Sequence, residues 1–339
     1  MINPILVEVT RGALVESVHT GMLAVARPNG ELVVSIGDVR RPVFPRSAIK
    51  AFQCLPLIES GAADAFQYGD AEIALACASH SGTAAHAELA ASMLARAKLD
   101  ATALGCGAHE PMLQASARAL AASGATPTAL HNNCSGKHAG MCACAVHHKE
   151  DPAGYWLPDH PVQQRIVQTL RAYTGEALGA DVRGIDGCSA PNWAIPIASL
   201  ARAFAAFITA EGPGKPHRAA SERIAKAVWA APDMVAGPGR LDTVIMGRVP
   251  GRVFMKTGAE GVYCGAFPDL GLGFAIKIDD GAHRASEAVT LALLNRLLPA
   301  TNGLGEAGTM KNWRGLTVGE TRITGTVATA LDQLAALAK

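Results

Sequence analysis

The sequence predicts an α+β fold: an antiparallel sheet flanked by helices, with a helical lobe inserted into it. Three observations carry this prediction. Short β-prone runs lie near both ends of the chain, an alanine-rich stretch with helical apolar spacing fills the middle, and turn sequences separate neighbouring β-prone runs. The 339 residues are expected to make one compact unit, in which 1–82 and 232–339 form the sheet-containing lobe and 83–231 the inserted helical lobe.

In chain order, Leu6–Val9, Leu14–His19, Met22–Ala26 and Leu32–Ile36 read as strands, with Pro28-Asn29-Gly30 as the turn of a hairpin. A helix is expected from Pro45, whose missing N–H costs nothing at a first helical position. Ile49, Phe52, Leu55 and Ile58 give it a buried face. Ile73–Ala78 leads into the polar cluster Ser79-His80-Ser81-Gly82. Helices are expected at Ala84–Leu99, Met112–Ala122, Lys137–His148, Pro161–Thr174, Ile197–Ala210 and His217–Ala231. The period then changes: Val244–Met246, Arg252–Lys256, Val262–Phe267 and Leu272–Ile278 read as strands separated by Pro- and Gly-bearing turns. His283–Leu298 closes the pattern as a helix, followed by a glycine-bearing connection and a helix-like run, Val327–Leu337.

Composition narrows the functional classes. Hydrophobic residues make up 49% of the chain and charged ones 17%, which describes a packed globular protein. A formal charge of +1 offers no electrostatic reason to expect nucleic acid or an anionic membrane as partner. No apolar run is long enough to cross a bilayer, and the first residues lack a basic segment followed by an apolar one. The eight cysteines show no compact spacing framework, so they are read as reduced thiols and the protein as cytoplasmic.

Candidate chemistry starts at Ser47 and Lys50, three residues apart, so that on a helix both side chains project over one turn. A serine beside a lysine is a nucleophile with a base, provided that the lysine pKa falls from its ordinary value of about 10.4. Alone, Ser-x-x-Lys is a common spacing. Lys256-Thr257-Gly258 on a downstream strand raises its significance, because the two together are the signature of penicillin-binding proteins and serine β-lactamases. With strands from both ends in one sheet, Ser47 is expected at the junction of the lobes, with Lys256 facing it.

Two polar clusters lie in the helical stretch. His131-Asn132-Asn133-Cys134-Ser135-Gly136-Lys137-His138 reads either as a reactive cluster or as capping of the helix that follows. Asp186-Gly187-Cys188-Ser189 reads either as a ligand loop or as a turn. Thiols and a carboxylate or imidazole on two such loops suit zinc if the loops meet, although no cysteine pair has metal-finger spacing. Ser79, beside a glycine-bearing turn, is either a proton relay or a turn residue.

These segments resemble the Rhizobium-type L-asparaginases, the asparaginase II family, which is distinct from the bacterial threonine-nucleophile enzymes. The resemblance rests on Glu8-Val9-Thr10-Arg11-Gly12, on Val15-Glu16-Ser17 with His19 and Gly21, and on Arg46-Ser47-Ala48-Ile49-Lys50. It continues through the 131–138 cluster, Asp186-Gly187-Cys188 and Lys256-Thr257-Gly258-Ala259-Glu260-Gly261. It implies a fold related to serine β-lactamases and glutaminases, a homodimer, and two Ser–Lys pairs, here Ser47 with Lys50 and Ser79 with Lys256. It also implies zinc beside the active site on Cys134, Lys137 and Cys188, with Asp186 adjacent; Lys137 as a ligand comes from the resemblance alone.

The activity expected is hydrolysis of L-asparagine to L-aspartate and ammonia, with Ser47 as nucleophile and Lys50 as base. Arg46, His138, Asp186 and Ala259 are expected on the substrate side, Ala259 through a backbone N–H shared with Ser47 in holding the oxyanion. Zinc on two thiolates is a weakened Lewis acid, so its expected role is accessory to substrate binding. Two rivals stand beside this reading. One is a glutaminase or other β-lactamase-like hydrolase, since one methylene separates the two amides. The other is a non-catalytic zinc-stabilised binding protein.

Overall fold

The computed structural model describes residues 2–304 and 308–337. The chain divides into two compact units. Unit 1 comprises Met1–Ala48, Ile195–Pro213 and Arg252–Lys339; unit 2 comprises Ile49–Ala194 and Gly214–Gly251. The division differs from the expected one. Residues 49–82 and 232–251 fall in the helical unit, while the helix Ile197–Thr209 falls with the sheet.

Unit 1 is built on an eight-stranded antiparallel sheet. Its strands are β1 (Ile5–Arg11), β2 (Leu14–Ala26), β3 (Leu32–Ile36), β4 (Phe254–Thr257), β5 (Val262–Phe267), β6 (Leu272–Ile278), β7 (Thr309–Lys311) and β8 (Thr317–Ile323). They run in the order β7-β8-β1-β2-β6-β5-β4, with β3 also on β2. The two runs expected at 14–19 and 22–26 are one strand. Its first part pairs with β1, while Gly21–Ala26 pairs with β6. Gly21 sits at that handover, where a Cβ would meet the Lys277 carbonyl at 2.3 Å.

Every position of β4 and β5 is buried, so both faces of these strands are covered. The helix Ile197–Thr209 packs on β2, β5 and β6. Its backbone comes so near Gly273 that an added Cβ would lie 2.1 Å from the Ala201 carbonyl. β7 and β8 were not expected. They are largely exposed and held by backbone pairing, so they carry no alternation of apolar and polar residues to read.

Unit 2 is helical around Ser135–His147, which is buried from Ser135 to Ala145. Small residues make that possible. Gly136 lies against Leu75, where a Cβ would meet the Leu75 carbonyl at 2.4 Å, and Gly140 lies against Leu57 and Ala76. The helices Lys50–Glu59 and Asp70–Ala76 therefore pack closely on it. Two expectations are corrected here. Leu241–Arg248 is a helix rather than a strand around 244–246, since its buried Leu241, Asp242, Ile245 and Met246 repeat with a helical period. The α-helix also does not begin at Pro45. Arg46 has φ of 52°, which interrupts a right-handed helix at that residue; a 3₁₀ turn Arg46–Ile49 follows Pro45, and the α-helix starts at Lys50.

Candidate active site

The expected site residues fall into two groups by unit. Arg46, Ser47, Lys256 and Ala259 belong to unit 1, and Lys50, Ser79, Cys134, Lys137, His138, Asp186 and Cys188 to unit 2.

In unit 1, antiparallel pairing sets the Lys-Thr-Gly strand. Lys256 lies opposite Cys264 and Thr257 opposite Tyr263, and the Gly258 N–H donates to the Val262 carbonyl at 2.8 Å. Lys256 is 1% exposed and donates to the Thr257 carbonyl at 2.8 Å. The segment leading to Ser47 runs beside this strand: a Cβ on Gly258 would lie 2.6 Å from the Pro45 carbonyl. Glycine at that position lets the two backbones approach. Ser47 is half-buried and Ala259 is exposed at the turn into β5.

In unit 2, Lys50 is also 1% exposed and is held by three acceptors. Its amine donates to the Ala78 carbonyl, to Ser79 Oγ at 3.0 Å and to Cys134 Sγ at 3.1 Å. Three acceptors match the three N–H bonds of an ammonium.

Next to it lies a second buried cluster. Lys137 Nζ donates to Cys188 Sγ at 3.0 Å, and the Cys134 thiol shares a hydrogen bond with Cys188. The Cys134 hydrogen bond and then the Lys137 charge hold the Cys188 thiol well below its ordinary range, against the opposing effect of burial. Cys134 is pushed up by sharing that proton with Cys188 and by burial. Burial alone would lower the Lys137 pKa, but Cys188 and then Cys134 raise it overall. His138 is pushed down to about 4 by burial and then by Lys137. Its Nδ1 meets the Tyr155 hydroxyl at 2.5 Å, while its buried Nε2 has no hydrogen-bond partner among the described residues.

The donor set fits a divalent zinc ion. It offers two sulfurs and an amine nitrogen, beside an unpartnered imidazole nitrogen. The two protons on Cys134 and Lys137 occupy places that one dication could take, as ligand deprotonation requires. Among the described residues no three His, Cys, Asp or Glu side chains converge as metal ligands. Asp186 holds its own turn, accepting from the Gly187 N–H at 2.7 Å and from Asn192 Nδ2 at 3.2 Å.

Sequence reasoning missed several participants. The capping expected of Asn132 and Ser135 takes another form: Cys134 is the N-cap with no side-chain cap bond, and Asn132 Oδ1 instead accepts from the Cys134 N–H at 2.8 Å. The contact of Cys134 with Lys50 and the Tyr155 partner of His138 had no local signal. Of the eight non-glycine residues with positive φ among the described residues, Arg46, Ser189 and Glu260, with φ of 52°, 70° and 57°, each adjoin an expected site residue.

A family model described as L-asparaginase II matches residues 7–323 of the chain. A search of curated proteins found no match.

Proposed function

We propose that this chain, which belongs to the L-asparaginase II family and is an L-asparaginase, hydrolyses asparagine through a Ser–Lys acyl-enzyme route. Ser47 attacks the side-chain amide carbon after losing its proton to Lys50. Lys50 gives that proton to the leaving nitrogen, ammonia departs, and water then hydrolyses the aspartyl ester. The backbone N–H groups of Ser47 and Ala259 stabilise the oxyanion. Arg46 and Lys256 add positive potential, and Ser79 relays protons at Lys50 Nζ. The observation that supports this most is the amine of Lys50, three residues after Ser47, buried and 3.0 Å from Ser79 Oγ.

Cys134, Lys137 and Cys188 would hold zinc, with Asp186 and His138 beside them. When bound, the ion supplies positive charge that helps fix the polar groups of substrate. The Lys-Thr-Gly strand within an antiparallel sheet supports kinship with the serine β-lactamase and glutaminase fold. The same reading makes the protein a cytoplasmic homodimer, and eight buried free thiols suit a reducing compartment.

The test is ammonia release from asparagine and from glutamine by the parent chain and Ser47→Ala, each with and without added zinc. Ser47→Ala is expected to lose roughly 10³-fold or more in kcat, as when a nucleophile acting in concert with its base is removed. Zinc removal is expected to raise KM with kcat largely kept. Full activity in Ser47→Ala would overturn the nucleophile; kcat abolished by chelation would overturn the accessory role.

A further inference from the structure

We propose that His80 is a positioning residue that sets the spacing between Ser79 and Cys134, the two side chains that receive hydrogen bonds from Lys50. The inference rests on the reading of Lys50 as the base. His80 is fully buried and follows Ser79 directly. Its backbone N–H donates to the Asn133 carbonyl at 3.2 Å, and its Nε2 lies 2.9 Å from Ser135 Oγ. The two bonds therefore land on the residues either side of Cys134. One histidine thus ties the Ser79 loop to the start of the helix that carries Cys134 and Lys137.

The hydrogen bonds determine the tautomer. The Gly82 N–H donates to Nδ1 at 3.1 Å, so Nδ1 carries no proton and Nε2–H is the donor to Ser135. The ring cannot swing away. It stacks on His86 with centroids 4.7 Å apart and an interplanar angle of 17°. His86 is held in turn by Thr83 Oγ1 at 2.7 Å and by the Asp233 carbonyl at 2.9 Å. Lys50 Nζ reaches Ser79 at 3.0 Å and Cys134 at 3.1 Å, so moving one loop relative to the other breaks one of those bonds. None of these contacts involves the reacting atoms, so the effect on turnover passes through Lys50.

The two ring nitrogens can be tested separately. Gln places a donor near the Nε2 position, so His80→Gln keeps the bond to Ser135. Asn places an acceptor near Nδ1, so His80→Asn keeps only the bond from Gly82. kcat, KM and the pH dependence of kcat are measured for both variants, for His80→Ala and for Ser135→Ala, with Tm recorded for each. His80→Ala, His80→Asn and Ser135→Ala are expected to lose about 10- to 100-fold in kcat, the range for misplaced supporting groups. KM should change little, and the acid limb of the kcat profile should shift. His80→Gln should recover most of the loss.

Wild-type kcat and an unmoved acid limb in a folded His80→Ala would overturn the proposal. So would losses in Gln and Asn variants that simply follow their Tm. Lys50→Met, run alongside, separates the two levels. Retained activity there removes the base assignment, whereas an inactive Lys50→Met beside a normal His80→Ala removes only the positioning role.

Discussion

Lys50 and Lys256 are each 1% exposed, yet they sit on different kinds of element. Lys50 begins a helix, and its amine meets groups 28, 29 and 84 residues further along the chain. Lys256 lies within an antiparallel ladder, opposite Cys264, and donates to the carbonyl of the next residue. The place of the strand lysine in its ladder follows from register, which is a local and periodic property. The acceptors of the helix lysine are delivered by loops that only close packing of small-residue helices brings together. Burial alone therefore says little about a lysine's role.

The largest expected effect separates the two lysines. Lys50→Met should lower kcat by roughly 10²- to 10⁴-fold, the contribution of a general base. Lys256→Met should cost less, about 10²-fold, as a group that adds potential without taking a proton. Ammonia release at saturating asparagine measures both, and equal losses would erase the distinction drawn between them.

An intermediate effect tests the strand side. Gly258→Ala puts a Cβ 2.6 Å from the Pro45 carbonyl and forces apart the two backbones that carry Ser47 and Lys256. A fall in kcat of up to about 10²-fold is expected from such a displacement. Unchanged kcat in a folded variant would mean that this approach does not matter.

The smallest effect concerns stability and tests the helix side. Burial first, then the nearby charges of His86 and Lys50, hold the His80 pKa well below its ordinary value. The unfolded chain takes up a proton at His80 as pH drops below about 6.5, while the folded chain resists it. Stability from this group is thus fully present above that value and is lost as pH falls. The loss is at most about 1.4 kcal/mol for each pH unit. Denaturant titrations at neutral and mildly acidic pH should show a shallower loss for His80→Gln than for the parent chain. An identical pH slope would count against a neutral His80.

Much of this was legible beforehand where the signal was local. Pro161–Thr174 has the ends its sequence announces, with proline at its first turn and Gly175 in a left-handed cap. Leu32–Ile36 follows its hairpin turn, and Leu272–Ile278 its own. Signals failed where pairing replaced pattern, as in the exposed strands Thr309–Lys311 and Thr317–Ile323. They also failed where one strained residue changed the path, as at Arg46. At the site, the dense cluster 131–138 was visible as a cluster, but not that Cys134 would touch Lys50 or that Ser135 would receive His80.

From the order of its residues alone, this chain declares an α+β fold, a family and a set of candidate reactive side chains. These follow from turn chemistry, period and motif, all of which act over short stretches. Which amine meets which hydroxyl, and which thiol lies against which amine, was decided by folding. Hydrogen bonds and charge interactions depend on a few tenths of an ångström between residues many positions apart, and only the packed helices and paired strands set those separations.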